Sequence, residues 1–198
     1  MSKPLPDVYL VRHGETQWTL SRQHTGLTDL PLTAGGEEQA RRLRSRLKDV
    51  TFAKVLTSPL QRARRTCELC GYGSAAETDC DLVEWNYGDY EGWTRPRILA
   101  DRPDWSIFRH GCPNGESPQD VAARADRVIF RIQQVEGNVL AFSSGHFLRV
   151  LIARWLGVEP SAGSFFKLGT AALSVLGYDH DSKTEPVIRL LNETWRST

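Results

Sequence analysis

Cysteine, methionine and long apolar runs are all scarce in this chain. Four cysteines and one methionine occur in 198 residues, too few thiols for a disulfide scaffold, and such sparse usage fits a reducing, cytoplasmic setting. No uninterrupted apolar run approaches the ~18 residues needed to cross a bilayer. The longest candidate, 147–156, is interrupted by Arg149 and Arg154. The first apolar stretch, 8–11, runs straight into Arg12 and lacks the hydrophobic region of a secretory signal. An excess of one charge is also missing: 25 basic and 24 acidic side chains leave a formal charge of +1. That balance supplies no broad cationic field for a nucleic-acid backbone or an anionic membrane, so any anion site must be local.

What is present is ordinary globular material, with 40% hydrophobic, 25% charged and 9% aromatic residues. The length suits one domain of roughly 100–200 residues, so a single domain over 1–198 is expected. Strand and helix patterns alternate, which predicts an α/β domain of three layers, a mixed, mostly parallel central sheet flanked by helices. VYLVR predicts a strand ending at Arg12-His13-Gly14, and the segment from Thr33 predicts an amphipathic helix with Ala40, Leu43 and Leu47 on its apolar face. AKVLTS predicts a buried strand. The following SPLQRARRTCELCG predicts a helix capped by Ser58, with Pro59 in its first turn and Gly71 beyond its end. A loop-rich segment of about 83–117 follows, with a short strand before it at 76–82 and a short helix within it at 97–101. Ser117 and Pro118 open a long helix, NVLAFS predicts a central strand, and 147–156 a further helix. Strands at 171–178 and 187–191 close the chain.

Two histidines, His13 and His146, each fall at the carboxyl end of a predicted strand beside a glycine. Open α/β sheets bind ligands there, and a helix N-terminus nearby adds backbone donors for an anion. Arg12 and Arg62 are placed to flank the same crevice, and Glu84 stands out as a carboxyl in the otherwise apolar LVEWNYG. Singly these residues have ordinary structural explanations: a hydrogen-bonded core histidine, a surface arginine, an ion-pair partner. Together they make a phosphate pocket. A histidine attacks phosphorus only as the neutral imidazole, and neighbouring cations disfavour imidazolium while stabilising charge on the transferring phosphoryl group. Like charge from a bound dianion opposes a second negative charge, so Glu84 could hold a proton for the leaving alkoxide and afterwards activate water. His146 is open to two roles, a cationic clamp or a neutral donor. Thr25 and Gly26 offer a hydroxyl and a backbone amide to phosphate or substrate, and Tyr87 and Arg109 are further candidates for substrate contact.

The ordered blocks VRHGET (11–16), HTGLTDLPLT (24–33), TSPLQRARRT (57–66), LVEWNYGDYEG (82–92), GCPNGES (111–117) and SSGHFLR (143–149) resemble the histidine phosphatase superfamily over nearly the whole chain. That group includes cofactor-dependent phosphoglycerate mutases and many small-molecule phosphatases. The resemblance implies a phosphoglycerate mutase-like fold, phosphorylation of His13 during turnover, a phosphoryl group held by Arg12, Arg62 and His146, and Glu84 as proton donor. It implies neither cofactor nor metal, and a small phosphorylated metabolite as partner, with no nucleic acid or membrane and homo-oligomerisation left open.

Within the family, mutases usually carry Asn after the tryptophan that follows RHGE, where this chain has Thr19. They also carry a longer insertion after the acid; here 93–117 is compact, its basic residues being Arg95, Arg97, Arg102, Arg109 and His110. The blocks look closer to the branch of sedoheptulose bisphosphatase-like sugar-phosphate hydrolases, which favours hydrolysis over transfer. Trp93, Trp105, Phe108 and Tyr90 are candidates for a pocket wall. Two alternatives stand beside the hydrolase: a phosphoglycerate mutase, and a non-catalytic phosphate or phosphoprotein binder, for which a nucleophile and an acid would be superfluous. Cys67 and Cys70 have CxxC spacing, but late in a helix and without a second ligand pair, so they read as two buried small hydrophobes.

Overall fold

The computed structural model describes residues 5–194. Its centre is a six-stranded sheet of order β3-β2-β4-β1-β5-β6, in which β1 is Val8–Arg12, β2 Lys54–Thr57, β3 Ala76–Thr78, β4 Val139–Ser143, β5 Leu173–Tyr178 and β6 Pro186–Glu193. β1, β2, β3 and β4 pair in parallel, whereas β5 runs antiparallel to both β1 and β6. The sheet is mixed and mostly parallel, as the alternation of patterns predicts.

Side-chain alternation along each strand divides the core between two faces. Leu10, Leu56, Ala141 and Leu176 pack on one face with Val121, Val128, Leu148 and Leu151. Those partners come from the long helix Pro118–Gln133 and from Gly145–Trp155. Val11, Val55, Leu140 and Phe142 pack on the other face with Leu43, Leu47, Ala63 and Cys67, which belong to the helices Ala34–Leu47 and Gln61–Leu69. In chain order the helices are α1 (Gln17–Ser21), α2 (Ala34–Leu47), α3 (Gln61–Leu69), α4 (Arg95–Asp101), α5 (Ile107–His110), α6 (Pro118–Gln133) and α7 (Gly145–Trp155). β4 is buried along its whole length, which explains why NVLAFS is apolar without alternation. Cys67 and Cys70 are buried free thiols, and burial pushes Cys67 up to about 12.

Local signals set most helix starts. Ser117 caps α6 in a reciprocal box with Asp120, with Pro118 in the first turn, as the sequence indicates. Ser58 does not cap α3. Its N–H donates to Phe142 O (2.9 Å), so the backbone is still committed to the sheet, and the helix starts only after Leu60. The cap comes from a distant loop, where Asp29 Oδ1 accepts from Gln61 N–H (2.8 Å). The strand expected over 76–82 stops at Thr78, because the Asp79 side chain accepts from Asp81 N–H (2.9 Å) and nucleates a turn instead. α7 begins two residues earlier than its apolar stripe, and α4 likewise begins at Arg95.

The loop after β1 is wedged between two helices. A Cβ on Gly14 would stand 2.4 Å from Gly36 O, and one on Gly36 only 2.1 Å from Glu15 O. The start of α2 is therefore packed backbone to backbone against the residues that follow His13. Gly36→Ala is expected to lower stability by about 1–3 kcal/mol, read from the urea midpoint; an unchanged midpoint would show that this contact yields without cost.

Candidate active site

The site lies at the carboxyl ends of β1 and β4, where Arg12 pairs in register with Ser143. The sheet extends through the next residue: His13 N–H donates to Ser143 O (2.9 Å), and Ala171 N–H donates to His13 O (3.0 Å). The chain then turns at Gly14, whose N–H donates to Thr66 Oγ1 on α3 (3.0 Å). The His13 backbone is thus immobilised from both sides. The residue is 3% exposed, with its Nδ1 2.7 Å from the Gly14 carbonyl oxygen. A carbonyl only accepts, so Nδ1 carries the hydrogen and Nε2 keeps its lone pair. Burial first, then Arg62 and Arg12, push the pKa of His13 well below its ordinary value.

The two arginines are held differently. Arg12 lines the cleft, and its Nη1 donates to Leu168 O (2.6 Å). Arg62 has none of its surface exposed and lies behind the cleft wall, donating to Thr28 O (2.9 Å), Gly26 O (2.7 Å) and Thr25 O (3.2 Å). The Nε atoms of both guanidiniums and the Ser144 hydroxyl are buried without a hydrogen-bond partner in the protein. Buried polar atoms are rarely left so, and several around one pair of strand ends mark a place suited to an acceptor-rich group.

Glu84 occupies the N-terminus of α7. Its Oε1 accepts from Trp85 N–H (2.9 Å) and Phe147 N–H (2.8 Å), and its Oε2 from His146 N–H (3.0 Å). The carboxylate fills the capping place that Ser144 leaves empty, which fixes its orientation on the cleft. The cleft, of about 180 Å³, is lined by the arginines Arg12, Arg22 and Arg149 and by one carboxylate, Glu84. A chain of net charge +1 therefore concentrates positive charge at one spot.

The remaining candidates fall into distinct places. Thr25 lines the cleft. Gly26 does not: its N–H is spent on Glu91 Oε1 and Oε2 (2.9 and 3.0 Å), so it has no amide to offer a substrate. A Cβ there would meet Glu91 Oε2 at 2.5 Å and Trp85 O at 2.6 Å, so close packing explains the glycine. The Thr25–Gly26 peptide bridges Glu91, through its N–H, and Arg62, through its C=O. Tyr87 is buried, and its hydroxyl lies 2.5 Å from His146 Nδ1. Arg109 is exposed at the end of α5 and is not among the cleft-lining residues. His146 lines the cleft, but its neighbours are Tyr87, His24 and Phe108. Burial, then Arg149, His24 and Arg12, push its pKa well down, which favours the neutral ring over the cationic one in the free protein.

Sequence reasoning missed Arg149, Arg22 and His24. Arg149 donates to Gly163 O (2.9 Å) and Ser164 O (3.1 Å), and its guanidinium stacks 4.4 Å from the centre of the Phe108 ring. Burial lowers its pKa to about 10, which leaves it charged at neutral pH. Its signal was the helical spacing of three from His146, which puts both on one face of α7. Among the described residues no group of three histidines, cysteines or acids is arranged to hold a metal ion.

The carbonyl contact of His13 fixes its tautomer. In ¹⁵N–¹H spectra at about pH 6.5, His13 is expected as the neutral Nδ1–H form and His146 as a neutral ring. Since a depressed pKa leaves the ring uncharged above it, both should gain a proton only well below that pH. A doubly protonated His13 ring near neutrality would contradict the geometry.

A model of the histidine phosphatase superfamily (branch 1) matches residues 8–194. The chain is 37% identical over 185 residues to an acid phosphatase of Mycobacterium tuberculosis, covering 91% of each protein. It is also 37% identical over 220 residues to the sedoheptulose 1,7-bisphosphatase of Saccharomyces cerevisiae, covering 93% of this chain and 79% of the yeast protein. The solved structure of an open reading frame product from M. tuberculosis superposes with a TM-score of 0.90 at 35% identity, covering 96% of this chain and 98% of that one. With the strand-end histidine, its flanking arginines and the helix-capping glutamate in place, the chain belongs to the histidine phosphatase superfamily.

Proposed function

We propose that this protein hydrolyses phosphomonoesters of a small metabolite, a sugar phosphate, through a phosphohistidine formed on His13. The observation that carries this reading is the buried, neutral His13 ring, its Nδ1 tied to the Gly14 carbonyl and its Nε2 lone pair left for attack in a cleft lined by three arginines and one carboxylate. In the first half-reaction Nε2 bonds to phosphorus as the bond to the alcohol oxygen breaks. The departing electron pair takes a proton from Glu84. In the second, Glu84 removes a proton from water as the water oxygen attacks phosphorus, and the phosphorus–nitrogen pair returns to Nε2. Arg12 steadies the equatorial oxygens, while Arg62, from behind the wall, adds positive potential at the ring. The segment 83–117, which carries Glu84 and Tyr87, forms one side of the cleft.

Hydrolysis is favoured over mutase chemistry by two features. Thr19 Oγ1 is spent on the start of α1, donating to Thr16 O (2.7 Å) and accepting from Thr16 N–H (2.9 Å), so no amide faces the substrate there. None of the basic residues between 93 and 117 is among those lining the cleft, so that stretch supplies no grip for a second charged end of a phosphoglycerate. A pure binding module would need neither a neutral histidine nor a carboxyl fixed beside it.

His13→Ala should abolish phosphate release. Glu84→Gln should slow alkyl phosphates by about 100-fold or more and an activated aryl phosphate far less, because p-nitrophenolate leaves without a proton. Equal slowing of both classes would remove the acid role from Glu84.

A further inference from the structure

Ser144 holds the N-cap position of α7 in extended backbone (φ −122°, ψ 167°), but its hydroxyl makes no capping bond. A serine there ordinarily accepts from the second or third amide of the helix. Those amides, of His146 and Phe147, donate to Glu84 instead (3.0 and 2.8 Å). None of the surface of Ser144 is exposed, and its Oγ has no partner within the protein. A buried hydroxyl left unpaired is destabilising, and an alanine in the same place would avoid that cost.

Strand alternation places the hydroxyl beside the nucleophile. Arg12 and Ser143 are in register on the parallel pair β1–β4, and His13 N–H still donates to Ser143 O, so His13 and Ser144 are the next neighbours across it. Adjacent strands run about 4.8 Å apart, and successive side chains point to opposite faces. Phe142 packs on the α2–α3 face, and Ser143 points the other way, where its Oγ donates to Leu82 O (2.6 Å). Ser144 therefore returns to the α3 face, which is also the face of Val11 and, two residues on, of His13. α3 carries Arg62. Gly145 packs on the other arginine, since a Cβ there would stand 3.1 Å from Arg12 Nε. His13, Gly145 and His146 line the cleft around Ser144. The Nε–H groups of Arg12 and Arg62 are unpartnered as well, so three potential donors around His13 share the lack of an acceptor.

We propose that Ser144 is a further phosphate-binding residue, its hydroxyl donating to an oxygen of the phosphoryl group that His13 attacks. Rotation about the Cα–Cβ bond turns the hydroxyl to that oxygen. The bond exists only with the anion in place, so the hydroxyl contributes to anion binding and not to the stability of the free protein. By capping α7 in its stead, Glu84 leaves the serine free for this use. The assignment rests on the phosphatase reading and adds a ligand to its phosphate site.

The test sets two measurements on Ser144→Ala against the wild-type protein: the Kd for inorganic phosphate, by calorimetric titration, and the urea midpoint without phosphate. The Kd should rise about tenfold or more, while the midpoint stays level or rises. Hydrolysis of alkyl and activated aryl phosphates should slow together, because the phosphoryl group is common to both; Glu84→Gln should separate them. A lowered midpoint would show that the hydroxyl is paired inside the free protein, and would overturn the inference. An unchanged Kd, with wild-type hydrolysis still dependent on His13, would overturn this inference alone. Absence of any His13-dependent hydrolysis in the wild-type protein would overturn the phosphatase reading, and the inference with it.

Discussion

An imidazole enclosed with two guanidiniums is the constraint around which the rest is arranged. Charging His13 would place a third cation beside Arg12 and Arg62 in a setting where burial already penalises it. The Gly14 carbonyl takes the one ring hydrogen, and the sheet and Ala171 hold the backbone on either side. In the proposed reaction this keeps the nucleophile uncharged and oriented before substrate arrives. The same positive charge that suppresses the proton suits a transferring phosphoryl group, so one electrostatic arrangement prepares the attacking atom and receives the charge it generates.

Keeping two unneutralised arginines inside a domain requires compensation, and the loops supply it through carbonyl oxygens. Arg62 is gripped by Thr25, Gly26 and Thr28, and the loop carrying those carbonyls is fixed in turn by Glu91 through the amides of Gly26 and Thr28. A carboxylate and a guanidinium thus act on each other across a peptide group without touching, which leaves Arg62 Nε unbonded. Glu84 is treated similarly: three backbone amides, two of them from the first turn of α7, define where its oxygens stand. In both cases backbone groups, not opposing side-chain charges, set the position of the functional residue.

The strand ends and their histidines were legible in the sequence because they depend on local periodicity and on a glycine beside each ring. The mixed, mostly parallel sheet, the cap at Ser117 and the central place of β4 have the same origin. What sequence could not show depends on partners far along the chain. Ser58 looks like a cap, but Asp29 supplies one and the sheet claims Ser58 first. Arg62 has the helical setting of a surface cation and is buried only because carbonyls 34 to 37 residues away converge on it. Arg109 is a candidate from its place in a loop-rich segment, and Arg149 has no such mark. The fold turns Arg109 to solvent and stacks Arg149 on Phe108 at the cleft. The contact of His146 with Tyr87, 59 residues away, had no local signal at all.

In the proposed reaction His13, Arg12 and Glu84 handle phosphorus and the proton, and His24, His146 and Arg149 line the same cleft. The central claim is that Nε2 of His13 becomes covalently bonded to phosphorus. Quenching turnover in alkali within milliseconds, followed by ³¹P NMR and peptide mass spectrometry, tests it directly. The account predicts an acid-labile, alkali-stable phosphoramidate on His13, attached at Nε2. A phosphoryl group at Nδ1 or on another side chain, or turnover with no phosphorylated residue, would contradict it.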